Sequence, residues 1–536
     1  MADTTATIPT HLRLATGVEV HRPLDKGAGW MVRRADQRLL NVTPELGELL
    51  QILQNTSCPP TVAELASLAP DPWTPREVMA AVQAMEPHGL LAGREQLAPL
   101  RRHRFSFDHD GLFILKICDN NADAFFRRLK PWAVRLRYSP LRWAPPLISL
   151  VGILPLVQAV SASQGTLYQP LEAITYLGII AALVMTTVVH EFAHGLTLTA
   201  CGRLPRRFGV MLFYFSPAAF CDVTDIWLLR RCERVAVASA GIIAQTFLGA
   251  GCLIIAPAFS GDLAAGLTWY GAMTYLGAMT NMLPFLKLDG YIALVGWLNR
   301  SNLRRDSMRA LRNRLAGLSH RDHPTTPRCW LALFGLGCVI TPILLVWLGL
   351  SAISPFLTQF GPIGKGLLIA LVVAVVVAAA LQGGRALASV STGYRLRLVV
   401  AGTLLTGLIL LLPVGTSHSR GYITQQDGSL LARTETTSPE AATGTSVDLH
   451  RAGLLNGPSL TTGTVTGSQR CRIPVSAVSP IRSEALMPEA TCLQITPATA
   501  QPPGSTGRIT IVHPPRPFGF LVWKQIGSLV SALTTS

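Results

Sequence analysis

Residues 188–202, "VVHEFAHGLTLTACG", set His190, Glu191 and His194 into an otherwise apolar run. The spacing is H-E-x-x-H. On a helix, positions i and i+4 share a face one turn apart, so both imidazoles can bind one Zn2+ ion while the glutamate reaches a water on it. Zinc brings that water's pKa to about 7 and polarises a carbonyl, which makes amide hydrolysis feasible at neutral pH. Three ionisable groups in a hydrocarbon-compatible helix cost several kcal/mol unless they have partners, so their position argues for function.

A catalytic zinc site needs a third protein ligand and an open position. The stretch "NMLPFLKLDGYIAL" provides a candidate in Asp289, a carboxylate in a second apolar run, with Pro284 and Gly290 interrupting the backbone around it. A broken helix frees backbone groups for an extended peptide, and Asn281 lies on the approach to the break, where it could hold a substrate backbone or a developing oxyanion. Pairing with Lys287 is the plainer reading of Asp289 taken alone. Asp222 in "FCDVTD" could gate the site, but a turn aspartate capping a backbone N–H is the favoured reading. His11, His21, His103, His109, His320 and His323 lie in polar stretches and read as surface residues.

The elements that must position these groups are membrane helices. Mean hydropathy is +0.37 over 536 residues, and only 14% of them are charged, a balance foreign to a water-soluble globule. The net charge of +16 is spread beside apolar segments, so it reads as topological and no nucleic-acid partner is expected. Seven segments are long enough to cross ~30 Å of hydrocarbon: 142–162, 171–200, 234–259, 265–298, 329–351, 357–382 and 396–414. Arginine-rich loops precede the first span and follow the second, fourth and sixth, which places those loops in the cytosol and the tail after Val414 on the opposite side. The first residues lack the apolar core of a signal peptide, so the N-terminus is expected in the cytosol.

Before the spans, "GWMVRRADQRLLNVT" reads as two short strands around a turn at Ala35 to Gln37. Helices follow from Thr43, Thr61 and Thr74, with capping boxes at Thr61/Glu64 and Thr74/Glu77. "LLAGRE" reads as a returning strand. The pattern is winged-helix-like, suited to packing, dimerisation or peptide binding. The tail is rich in Thr, Ser, Gly and Pro with short alternating apolar runs, as in an all-β domain. Of ten cysteines, Cys471 and Cys492 are the two in this polar tail and could bridge outside the cell. The closing "FGFLVWKQIGSLVSAL" is too short and interrupted to span, and reads as membrane-associated.

H-E-x-x-H on one transmembrane helix and N-x-x-P-x-x-x-L-D-G on a later one resemble the site-2 protease family of intramembrane zinc metallopeptidases. The apolar "RFGVMLFYFSPAAFCDV" resembles more narrowly a bacterial branch of peptide zinc metalloproteases, including those of daptide-type pathways. The resemblance covers roughly residues 170–300. It implies His190, His194 and Asp289 as zinc ligands, Glu191 as general base and proton donor, and Asn281, Pro284 and Gly290 as substrate-binding. The first ~95 residues are similar to PqqD-type domains, which bind leader peptides by strand addition.

These readings predict a polytopic α-helical membrane protein of about seven spans, with an N-terminal winged-helix-like α+β domain and a small C-terminal all-β domain. The expected segments are a leader-recognition domain (1–104), an amphipathic linker (105–141), the transmembrane peptidase core (142–414), an extracytoplasmic β domain (415–516) and a membrane-associated helix (517–536). The expected activity is a zinc metalloendopeptidase of the cell membrane that cleaves a membrane-associated peptide, removing the leader from a ribosomally made, modified peptide. Its partners would be that substrate, the bilayer and a peptide exporter. The alternatives are regulated proteolysis of an anti-sigma factor and a non-enzymatic peptide transporter or immunity protein.

Overall fold

The structure is a computed structural model; it describes residues 11–25, 29–34, 36–69, 73–92, 105–109, 114–161, 167, 170–213, 216–315, 328–358, 366–374, 413–433, 443–451, 459–478, most of 481–517, and scattered positions between 364 and 411 and after 518. Strands β1 (Glu19–His21), β2 (Trp30–Arg33) and β3 (Leu39–Val42) form an antiparallel sheet in that order. The expected β2–β3 hairpin is present, and Gln37 takes a left-handed φ of 69° within its turn. Helices α1 (Pro44–Asn55), α2 (Val62–Leu68) and α3 (Pro75–Met85) start at the three expected threonines, and both capping boxes form. Leu12, Trp30, Val32, Leu49, Leu50, Leu65, Val78 and Met85 share one buried core. Of the expected returning strand, the described residues include a bridge from Leu14 to Leu91; residues 93–95 lie outside the described residues.

Residues 105–141 are more than a linker. They hold β4 (Phe105–His109), β5 (Ile114–Asp119) and α4 (Ala122–Tyr138). Helices α5 (Ala144–Val151), α6 (Ile153–Ser161) and α7 (Ala173–Ala200) follow, then β6 (Phe208–Phe213) and β7 (Ser216–Cys221). β4, β5, β6 and β7 make one antiparallel sheet in that order. Its two halves lie on either side of helices α4 to α7 in the sequence, so no local hairpin signal announces the β5–β6 pairing.

Next come α8 (Arg231–Ile255), α9 (Gly261–Met282), α10 (Asp289–Leu298), α11 (Leu303–Leu315) and α12 (Arg328–Thr358). Among the described residues, four stretches are long and apolar enough to cross a membrane, against seven expected: Pro140–Ser161, Ala173–Ala200, Arg231–Ala258 and Cys329–Leu350. The expected span 265–298 is divided into α9 and α10 by residues 283–288, and hydroxyl-bearing Thr268, Tyr270, Thr274, Tyr275 and Thr280 dilute the hydropathy of α9. The expected spans 357–382 and 396–414 are described in part: residues 366–374 and single positions such as 396, 403 and 407 are helical, and residues 413–414 already belong to a strand; most of the closing helix 517–536 lies outside the described residues. Exposed Ile174, Leu177, Ile180 and Met185 on α7, and Leu333, Ile340, Ile343 and Trp347 on α12, supply the apolar surface that suits lipid.

The chain divides into two compact units. The first comprises Met1–Leu147, Val184–Thr246 and Ala278–Ser301. Within it Leu198, Ile226, Leu229, Val237 and Ala238 form a buried cluster against which Ile292 and Ala293 pack, fastening α7, α8 and α10 to one another.

The second unit comprises Ile148–Leu183, Phe247–Gly277 and Asn302–Ser536. Its C-terminal part is a closed barrel of β8 (Pro413–Thr424), β9 (Leu430–Arg433), β10 (Ser446–Arg451), β11 (Thr461–Cys471), β12 (Ala490–Pro497) and β13 (Thr506–Pro517), in the order β10-β11-β12-β9-β8-β13. Closure removes both sheet edges. Tyr422, Leu430, Val447, Leu449, Val465, Ile495 and Ile509 fill its interior, and Cys471 and Cys492 form a disulfide. Arg482 ties the barrel segment to the helical part, pairing with Asp262 at 2.7 Å and donating its backbone N–H to Leu171.

Candidate metal centre

His190 and His194 lie on the same face of α7, both buried, with ring centroids 4.8 Å apart. His190, Glu191 and His194 form a group that can hold a metal ion, their ligand atoms all within 4.8 Å of one another. Asp289 is the first residue of α10. Its Oδ2 is 2.8 Å from Nε2 of His190 and 3.4 Å from Nε2 of His194. The break before α10 makes this approach possible: a Cβ on Gly290 would stand 2.2 Å from the carbonyl oxygen of Met282, so only glycine lets α10 begin against the end of α9.

The other face of each imidazole is held by α8. Nδ1 of His190 is 3.2 Å from Oε1 of Gln245, and Nδ1 of His194 is 2.6 Å from the carbonyl oxygen of Val237. The Val237 carbonyl can only accept, so Nδ1 of His194 carries its proton; with the amide oxygen of Gln245 turned to the ring, Nδ1 of His190 does so too, and each Nε2 presents a lone pair. Those two lone pairs face one carboxylate oxygen, and Nε2 of His194 is a buried nitrogen without a hydrogen bond. Three like partial charges converging in a buried site call for a cation among them. Protonating both Nε2 atoms instead would set two imidazoliums 4.8 Å apart, an arrangement that like-charge repulsion disfavours.

The room for an ion is also built in. A Cβ on Gly241 would come within 2.4 Å of Nε2 of His190 and 2.5 Å of Nε2 of His194. Val237, Gly241 and Gln245 recur at i, i+4 and i+8, so one stripe of α8 gives a carbonyl, an open place and an amide. Ligand atoms about 2.0–2.1 Å from a tetrahedral zinc stand about 3.3 Å apart; the His194–Asp289 separation of 3.4 Å fits this, and the His190–Asp289 one is shorter.

Glu191 is oriented from the four-stranded sheet. Its Oε2 accepts the backbone N–H of Cys221 at 2.9 Å. Cys221 ends β7, opposite Phe208 of β6, with β7 at the edge of the sheet. One carboxylate oxygen is thereby fixed and the other is left for chemistry.

Asn281 sits half-buried in the last turn of α9, and Pro284 lies in the turn of the break. Asp222 behaves as a turn aspartate, its Oδ1 accepting the backbone N–H of Thr224 at 3.1 Å. Three residues on, the structure brings out an unforeseen carboxylate. Asp225 is buried and pairs with Arg33 of β2 at 2.8 Å and with Arg206, while Arg206 also donates to the carbonyl of Gln37. Oδ2 of Asp25 accepts the N–H of Arg231, first residue of α8, at 2.8 Å. The N-terminal hairpin region is thus joined to the segment between β7 and α8. Gln245, an amide inside an apolar run, was the one legible signal among these supporting groups.

The chain matches no protein-family model, no curated protein and no solved structure.

Proposed function

We propose that this protein is an intramembrane zinc metallopeptidase of the site-2 protease type, with His190, His194 and Asp289 as ligands. The convergence of two Nε2 atoms on Asp289, with an oxygen behind each ring at Nδ1, carries the reading. Two imidazoles and a carboxylate with an open position suit zinc. Bound there, zinc would polarise a peptide carbonyl and acidify a water.

The residues of the chain supply the rest. Glu191, with Oε2 held by Cys221 N–H, takes the water's proton on Oε1 and passes it to the leaving amine nitrogen as the peptide C–N bond breaks. Asn281 and the break around Pro284 and Gly290 hold the substrate backbone extended. Helix burial leaves the site accessible chiefly to segments in or at the membrane, and about 15 Å of helix separates His190 from Ala200 at the end of α7.

Arg203, Arg206, Arg207 and Arg230 lie between two of the spans, and Arg231 and Arg234 in the first turn of the second, which supports a cytosolic loop there. The Cys471–Cys492 disulfide supports an oxidising, extracytoplasmic setting for the barrel. With a winged-helix-like leader-recognition domain at the cytosolic N-terminus, the substrate is a short precursor whose leader is removed at the membrane.

The test is mass spectrometry of peptides that co-purify with Glu191→Gln and with wild type. The amide still accepts from Cys221 and leaves the ligands in place, so the variant should keep its metal and retain an uncut precursor. Identical intact peptides on both forms would overturn hydrolysis and favour transport. A single-span regulatory protein in place of a precursor would shift the substrate class to an anti-sigma factor.

A further inference from the structure

Helix α4 has two unlike faces. One bears on the metal centre's own helix. Phe126 is fully buried and reaches 2.6 Å from where a Cβ of Gly195 would stand, one residue beyond His194. Its ring also meets Phe192 at 5.6 Å and Phe208 at 6.1 Å between centroids. Three turns along the same face, Arg137 donates to the carbonyl of Ala200 at 3.1 Å and to Glu233 at 2.6 Å. Ala122 and Ala133 complete this buried face, so α4 is lashed to the last turns of α7 and the first of α8.

The outward side holds Phe125, Arg128, Trp132 and Arg135, at i, i+3, i+7 and i+10, and all four are exposed, with the Phe125 ring at the margin where it also meets Phe192 at 6.3 Å. Phe125 and Trp132 are more than half exposed. Tyr138, the last residue of the helix, is exposed as well, as are Leu141 and Trp143 at the start of the first apolar stretch, Pro140–Ser161. An exposed stripe of alternating aromatics and arginines is costly against water alone. Against a bilayer surface it is favourable, because the rings enter the headgroup level while the guanidiniums stay among phosphates.

We propose that α4 is a membrane-surface helix whose Phe125–Arg128–Trp132–Arg135 stripe binds anionic phospholipid headgroups of the bilayer that the following apolar stretch enters. Charge complementarity and direct continuity with that stretch select the occupant. The same helix, through Phe126, sets the lipid surface one side chain away from the H-E-x-x-H helix. The proposal rests on the membrane reading of the chain and is independent of peptide hydrolysis.

The test uses the full-length protein in an uncharged detergent, titrated with phosphatidylglycerol or phosphatidylcholine and read by native mass spectrometry. Wild type should hold phosphatidylglycerol more tightly, and Arg128→Gln/Arg135→Gln should lose about thirtyfold of that affinity, from roughly a fivefold contribution of each cation near an anionic surface. Arg128→Lys/Arg135→Lys should retain it. Equal phosphatidylglycerol binding by wild type and the glutamine pair overturns the proposal.

Trp132→Phe gives a second reading that does not depend on charge. In proteoliposomes containing dibrominated phosphatidylglycerol, quenching of tryptophan emission should fall when Trp132 is removed. An unchanged quenched fraction would mean that Trp132 faces water or another protein, which also overturns the proposal. Retention of uncut peptide by Glu191→Gln is scored separately, so either idea can fail alone.

Discussion

Oε1 of Gln245 lies 3.2 Å from Nδ1 of His190, and this contact fixes which nitrogen of the ring faces Asp289. Gln245→Met keeps the volume and removes the acceptor, freeing the ring to change tautomer. Loss of such an outer partner weakens metal binding about 10–100-fold. Competition for zinc against a chelator should show that loss with the helical circular dichroism unchanged. An unaltered affinity would mean that Val237 and packing alone orient the pair.

Gly241 acts by what it lacks. Because a Cβ would fall 2.4 Å from Nε2 of His190, Gly241→Ala should bring metal content well below one per chain. Alanine is the better helix former by about 1 kcal/mol, so the melting temperature should not fall in proportion. A variant that bound zinc at full stoichiometry would show that the space beside both rings is not where the ion sits.

The legible part of this site was the part made of side chains with their own chemistry. His190, Glu191, His194 and Asp289 stood out as ionisable groups in apolar runs, and the helix break before Asp289 followed from Pro284 and Gly290. The supporting layer was mostly silent, because a carbonyl at Val237, a missing side chain at Gly241 and an N–H at Cys221 are available at nearly any position; only the fold aims them. The fold shows the same division. Capping boxes at Thr61 and Thr74 gave helix starts to the residue, since the signal is local, whereas the β5–β6 pairing joins segments about ninety residues apart and has no local mark. Seven spans follow from apolar length alone, whereas the polar side chains along α9 lower its hydropathy below that of the four long apolar stretches.

The Asp225 clamp makes an ordered prediction. Removing one partner of a buried pair leaves an uncompensated charge and costs about 3–5 kcal/mol. Asp225→Ala leaves Arg33 to the exposed Glu19 and Arg206 to the carbonyl of Gln37, whereas Arg33→Met leaves Asp225 paired with Arg206. Amide hydrogen exchange over residues 29–34 and 36–42 should therefore accelerate strongly in the first and modestly in the second. Equal effects, or none, would show that the two arginines do not share this carboxylate.

The disulfide makes a topological prediction. Cys471 and Cys492 are 21 residues apart, and closing a loop of that size contributes about 3 kcal/mol by restricting the unfolded chain. The paired substitution to serine should lower the barrel's resistance to protease by a corresponding margin. In wild-type cells both thiols should resist a membrane-impermeant maleimide until an external reductant is added. Labelling that needs the membrane to be opened first would place the barrel on the other side.

Tyr422 lets the barrel be followed by pH. Its side chain is buried among Leu430, Val447 and Ile509, and that burial pushes its phenol up to about 12. The folded state thus favours the protonated form. Below the ordinary tyrosine value of about 10 both folded and unfolded chains keep the proton, and the stabilisation is fully present. As pH rises from about 10 to about 12, the unfolded chain releases its proton while the barrel does not, so stability declines across that window. Tyrosinate absorbance should show Tyr422 titrating last, together with loss of barrel structure. Tyr422→Phe cannot ionise and should flatten the decline; if it instead unfolded over the same window with the same steepness, other groups would be driving the alkaline transition.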